Sequence, residues 1–506
     1  MSEIMKKTQK IETEIGKIQG YINKDIKIFK GIPYAEPPIN QLRFDPPCEK
    51  EPWNNVFVAN KFGPSSFQGP DVGRGLFGQL TEQQEDNCLT LNIWTPETDD
   101  KKRPVMFWIH GGGFIYSGSS KAIYDGTLLA SKGNVVVVTI NYRLGIFGFL
   151  HIPNNTSNVG MLDQVAAIKW VKNNIEAFGG DPDNITIFGE SAGAYSVITL
   201  MTMPSAKGLF HRAIAQSPYI FELEPTIKTT KNVMSRLNLE FDDIDVLKKL
   251  PAKKLNRIQN EYISDMAGNP ESFYSNFRPC IDNESILQHP FRALKEGKAK
   301  DIDLLIGTNQ DEATFFTRFD PVFEKLNKEG LKTQIRMELD RLSFGFKTDF
   351  FIEQYKMIRK GKMPIDPIDI YNAIYTDLYY RIPAIKTAES NSTHNSNIYF
   401  YLLDWCSPMF KSACHSIDLP FTFGYFTSDI QDFIGEIQAA KIVSNKMMNA
   451  WINFASFGDV NHNSIPEWPR YELKNRSTIT IGPEFNVVED PFGKERALWE
   501  DLYNDY

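Results

Sequence analysis

In the first half of the chain two rhythms of apolar positions alternate. Residues 104–109, 135–140, 185–188, 213–215 and 304–306 are short runs, apolar throughout or nearly so. Such runs predict strands buried on both faces, as in a parallel sheet covered by helices. Between them Leu162, Val165, Ile168, Val171 and Ile175 recur at about helical spacing until Gly179-Gly180 stops the pattern. A second helix-compatible stretch covers residues 192–203. Strands and helices in alternation predict an α/β fold wound around a central, mostly parallel sheet.

The second half is less regular. Charged helical patterns fill residues 220–301 and 315–397, the segment 324–342 among them, before residues 398–403 return to a strand pattern. These stretches read as helical insertions that cap the carboxyl edge of the sheet. No linker rich in proline, glycine or serine breaks the chain, and no repeat or heptad appears, so residues 1–506 are expected to form one domain.

Composition narrows the function. A net charge of −8 offers no cationic footprint for nucleic acid or an anionic membrane. The densest apolar run, residues 135–140, is far shorter than the roughly 20 residues that span a bilayer. The first residues are charged and lack the apolar stretch of a secretory signal. The expectation is a cytoplasmic protein with no integral membrane segment. Cys48, Cys88, Cys280, Cys406 and Cys414 show neither a C-x-x-C pair nor metal-ligand spacing, so free thiols are expected, with no bound metal and no cofactor. No partner protein is indicated.

Chemistry enters at Gly189-Glu190-Ser191-Ala192-Gly193, a G-x-S-x-G pattern. Five common residues are a weak signal by themselves. Their place, after a buried strand and before an apolar helix, is the context a nucleophile elbow requires: a serine pushed out of the sheet on a strained turn, with glycines that let neighbouring elements pass close. His110-Gly111-Gly112-Gly113-Phe114 follows another strand. There the N–H groups of Gly112 and Gly113, with that of Ala192, form a candidate oxyanion hole. In this chain order the base must follow both the serine and the acid. His211 lies too near the elbow helix, His394 in a polar loop and His462 in a turn. His415, in a loop of small residues after the strand at 398–403, is better placed than these or His289. The acid should follow the strand at 304–306, where spacing leaves Asp311 and Glu312 both open.

Further segments form an ordered series with the elbow. They are Phe29-Lys30-Gly31-Ile32-Pro33-Tyr34-Ala35, Glu85-Asp86-Asn87-Cys88-Leu89-Thr90-Leu91-Asn92, Asn141-Tyr142-Arg143-Leu144-Gly145, Gly160-Met161-Leu162-Asp163-Gln164 and Phe178-Gly179-Gly180-Asp181-Pro182. The series resembles the type-B carboxylesterase/lipase family, which includes the cholinesterases, over nearly the whole chain. The resemblance implies an α/β-hydrolase fold and a serine esterase acting on a small-molecule ester without a cofactor. It implies Glu312 as the triad acid, because Asn309-Gln310-Asp311-Glu312 matches the family segment that ends in that glutamate. It implies His415 as the triad histidine, because Ala413-Cys414-His415 matches the corresponding segment; Ser416 stands where the family usually has glycine. Glu190 matches the acidic neighbour of the nucleophile.

Departures from the family pattern refine this reading. The family's first disulfide would join Cys88 to a cysteine absent from Gly63-Pro64-Ser65-Ser66-Phe67-Gln68, and no cysteine occupies residues 237–250, the region of the second. Both losses are those of an intracellular member. In cholinesterases the choline-binding tryptophan lies on the loop before the Cys88 segment. Residues 66–87 hold Phe67 and Phe77 but no tryptophan, and Trp53 and Trp94 fall outside. A neutral ester is therefore expected rather than a choline ester. A lipase acting at a lipid interface stays open. Binding or adhesion relatives of the family lack the nucleophile or the histidine, whereas all three triad positions are filled here.

Overall fold

The computed structural model describes residues 6–70, 75–80, 82–153, 157–219, 223–225, 227–266, 277–342 and 345–500. Twelve strands build its main sheet. They are β1 (Lys6–Lys7), β2 (Tyr21–Asn23), β3 (Ile26–Pro33), β4 (Thr90–Thr95), β5 (Arg103–Ile109), β6 (Val136–Ile140), β7 (Gly180–Glu190), β8 (Arg212–Gln216), β9 (Asp303–Asn309), β10 (Ile398–Leu403), β11 (Ser477–Ile481) and β12 (Phe485–Glu489). Their spatial order is β1-β2-β3-β4-β6-β5-β7-β8-β9-β10-β11-β12. Every neighbouring pair from β6 to β11 is parallel, and the pairs at both ends are antiparallel. A small sheet of Ile11–Thr13, Gly16–Gln19 and Phe57–Val58 stands apart. Its strands are too short to leave a periodic signal in the sequence.

The central strands are apolar on both faces because helices cover both. Along β5, Val105, Phe107 and Ile109 join one buried cluster with Val138 and Ile187, while Met106 and Trp108 join a second with Val137, Phe188 and Ile214. Successive side chains of a strand point to opposite faces, so one run feeds two cores.

Two helices matter for the site. Helix α1 (Val159–Asn174) continues into a 3₁₀ turn and ends at Gly179, with φ 78°. Helix α2 (Ala192–Leu200) follows β7 directly. It stops short of the expected residue 203 because Pro204 opens the next turn and biases the residue before it away from helix. The helix expected over 324–342 is two elements, Pro321–Glu324 and Lys328–Asp340; Asn327 starts the second by accepting from Gly330 N–H at 2.9 Å. Parts of the two expected insertions, residues 220–222, 226, 267–276 and 343–344, lie outside the described residues.

Several of the segments behind the family resemblance are structural ties. Arg143 makes a paired, fully buried contact with Asp163, each bond 2.8 Å, which clamps the end of β6 to α1. Asn92 accepts from Gly31 N–H and donates to Ser119 and Thr139, linking β3, β4 and β6. All five cysteines are free thiols, with Cys88, Cys280 and Cys414 buried. Among the described residues no helix is long and apolar enough to cross a membrane.

Candidate active site

The carboxyl ends of β5, β7, β8, β9 and β10 converge on one place. At the end of β7 the chain turns so sharply that Ser191 sits at φ 57°, ψ −122°, a conformation a side chain rarely adopts. Such strain persists only where the surroundings enforce it. Ser191 N–H donates to the carbonyl of Gln216 at the end of β8, 2.9 Å away. A Cβ on Gly193 would lie 2.0 Å from the Ile109 carbonyl, and one on Gly189 would lie 2.6 Å from the backbone of Gly193. Only glycine allows α2 to start this close to β5.

The glycine run after β5 lies against the same turn. A Cβ on Gly111 would meet Glu190 Oε2 at 2.8 Å and Ser191 Cβ at 3.2 Å. Gly112 and Gly113 follow at φ 100° and φ 60°. His110 anchors this loop as a neutral ring: burial depresses its pKa to about 4, and it stacks on Tyr142 with centroids 4.5 Å apart. Ala192 opens α2, and the first N–H groups of a helix have no partner within it.

On the other side, His415 and Glu312 meet. His415 Nδ1 lies 2.6 Å from Glu312 Oε2, and both residues are buried. Oε1 of Glu312 accepts from Ser217 Oγ at 2.6 Å and from Asn309 N–H at 2.7 Å. Asn309 Nδ2 also donates to the Cys414 carbonyl, 3.0 Å away, tying the histidine loop to β9. Asp311, the alternative acid, points elsewhere: its N–H donates to Ala413, and its carboxyl is pushed up by burial and held down by Arg381 and Arg359. Of the other histidines, His394 is exposed and hydrogen-bonds Lys295, and His211 Nδ1 accepts from Ile185 N–H.

His415 Nε2 faces the nucleophile's neighbour. Glu190 Oε1 is 3.2 Å from it and also accepts from Ser416 Oγ at 2.5 Å. Burial works to lower the His415 pKa, but the charges of Glu190 and Glu312, with the hydrogen bond to Glu312, outweigh it and raise the pKa to about 9. Burial raises Glu190 to about 7 against the opposing charge of His415. Aromatic rings close over the imidazole: Tyr380 at 4.8 Å, Phe316 at 5.3 Å and Phe315 at 6.2 Å between centroids. Tyr380 lies in a π-helical turn, Asp377–Arg381, a distortion frequent at functional sites.

The structure thus brings Glu312 and His415 together, sets Glu190 against His415, and lays the Gly111–Gly113 loop on Ser191. Sequence reasoning missed Ser217, Asn309 and Tyr380. For the first two, the signal was their place at or just after the carboxyl ends of β8 and β9, where open α/β sheets build their sites.

The chain matches the carboxylesterase family over residues 7–499. It is 35% identical to the para-nitrobenzyl esterase of Bacillus subtilis, covering 96% of this chain and 98% of that protein. It is 32% identical to carboxylesterase 1D of Rattus norvegicus, covering 97% and 93%. Among solved structures, a carboxylesterase of Geobacillus stearothermophilus superposes with a TM-score of 0.86 at 36% identity, covering 97% of this chain and all of that one.

Proposed function

Since the chain belongs to the carboxylesterase family and is a carboxylesterase, we propose that it hydrolyses esters by two-step acyl transfer through Ser191, His415 and Glu312. Ser191 Oγ attacks the ester carbonyl as His415 takes its proton. Glu312 holds the imidazole by Nδ1 and stabilises the imidazolium. The N–H groups of Gly112, Gly113 and Ala192 carry the oxyanion. His415 then returns the proton to the departing alcohol, and a water molecule, activated by the same imidazole, releases the acid.

The observation that carries this reading is the Glu312–His415 pair, buried beside the strained turn that holds Ser191. Ser191→Ala should lower kcat on an activated short-chain ester by ~10³-fold or more. Near-normal turnover would sink the assignment. A stoichiometric organophosphate adduct on Ser191 separates an enzyme from a binding protein of the same fold.

The substrate in this reading is a neutral ester. No tryptophan lies between residues 66 and 87, and Phe77 is buried edge-on against Phe433, with centroids 5.7 Å apart. Residues 1–506 act as one domain, supported by the span of the family match. The cytoplasm is the proposed compartment, supported by five free thiols.

A further inference from the structure

A cavity of about 760 Å³ opens at the opposite, amino-terminal edge of the sheet, under the far end of α2. Its volume falls within the range of small-molecule sites, roughly 300–1,000 Å³. The floor is apolar: Met201, Met203, Phe210 and Ile286 line it and are buried. The rim is cationic. Lys207, Lys298 and Lys300 stand exposed there against two carboxylates, Glu296 and Asp301. Glu296 is engaged by Gln288 Nε2 at 2.7 Å and Arg292 Nε at 3.4 Å, and also feels the charge of Lys298. On a chain of net charge −8 this is a local reversal of sign.

The cavity also touches the roots of the site. Helix α2 begins at the nucleophile turn and ends at Leu200 in the cavity wall. His211 and Ile302, both in the wall, lead directly into β8 and β9. Those two strands end at Gln216, which accepts from Ser191 N–H, and at Asn309, which holds Glu312.

We propose that this cavity binds one unbranched amphipathic carboxylate, its chain on the methionine and phenylalanine floor and its head group among Lys207, Lys298 and Lys300. Burial of a flexible alkyl chain contributes ~0.8 kcal/mol for each methylene removed from water, so affinity should rise with chain length until the floor is filled. Such acids are of the same chemical class as the acyl product of ester hydrolysis. The proposal does not depend on the triad assignment.

The test is isothermal titration of decanoate, below its micellar concentration, into the full-length protein. The expected result is one site that prefers decanoate to decyltrimethylammonium by about tenfold or more. Lys298→Glu combined with Lys300→Glu should weaken decanoate by about tenfold or more, and Met203→Trp should fill the floor and abolish binding. Unchanged kcat on a short water-soluble ester shows that the variants are folded. If Met203→Trp fails to fold, the lysine variants decide alone. Equal affinity for the two head groups, or decanoate affinity untouched by the lysine changes, would overturn the proposal; the second result would place the acid elsewhere, including the active site.

Discussion

The two halves of the candidate active site are held by different means. Around Ser191, on the side of β5 and β7, the backbone itself sets the geometry: at Gly111, Gly189 and Gly193 an added Cβ would fall within 2.0–2.8 Å of a neighbouring atom. Around His415, on the side of β9 and β10, a hydrogen-bonded network centred on the Glu312 carboxylate sets it: Ser217 Oγ and the Asn309 N–H donate to Glu312, and Asn309 Nδ2 donates to the Cys414 carbonyl. A backbone turn has no partial version, so one methyl group can remove it. A polar network loses bonds one at a time and should fail by degrees.

The sharpest way to break this contrast is Gly112→Ala. The residue sits at φ 100°, and its Cβ would lie 2.1 Å from the Tyr116 carbonyl. We expect kcat to fall ~10²–10³-fold, as the loss of one proposed oxyanion donor would predict, with an unchanged far-ultraviolet circular dichroism spectrum. A loss of less than tenfold would show that the glycine loop yields as readily as the network.

On the network side, Ser217→Ala removes one of two donors to Glu312 Oε1 and leaves Asn309 N–H in place. A hydrogen bond to a charged group contributes ~1.5–3 kcal/mol, so steady-state kinetics should show a kcat loss of ~10–100-fold. An effect as large as that of Ser191→Ala would mean that this half, too, is all-or-none.

In the proposed mechanism His415 must be neutral to accept a proton, and its pKa is raised to about 9, so kcat/KM should climb with pH towards that value. Glu190 is the first of the groups that raise it. Glu190→Gln should move the acid limb of the pH profile to lower pH by about one unit or more. A limb that stays put would assign the elevation to Glu312 and Asp418 instead.

The smallest effect concerns substrate charge. Butyrylcholine and its uncharged dimethylbutyl isostere should differ in kcat/KM by less than about tenfold at physiological salt, which is ~1.4 kcal/mol. A larger preference for choline would reveal a cation site built from rings such as Tyr380 and Phe316.

The same division explains what could be read in the sequence. Features made by the backbone leave glycines at fixed spacing, and Gly189, Gly193 and the run at Gly111–Gly113 marked the turn and the loop directly. The buried strands were legible because covering both faces of a parallel sheet demands unbroken apolar runs. Features made by side chains leave no short pattern. Ser217 reaches Glu312 from 95 residues away along the chain, so nothing local tied the two together, and spacing could not separate Glu312 from Asp311. That choice needed the family resemblance, and in the structure it is Glu312 that meets His415. The break in the expected helix over 324–342 was missed because periodicity outweighed the capping role of Asn327.

A sheet of twelve strands has two borders, and an open border is an invitation to templated growth between molecules. At one border β1 is two residues long, Lys6 and Lys7, both exposed. At the other, β12 leaves Asn486, Val487 and Glu489 exposed. A second molecule approaching the first border must desolvate the Lys6 and Lys7 ammonium groups, and at the second it meets the Glu489 carboxylate. Both borders of the largest continuous hydrogen-bonded surface in the protein thus carry charged side chains that disfavour pairing with another copy.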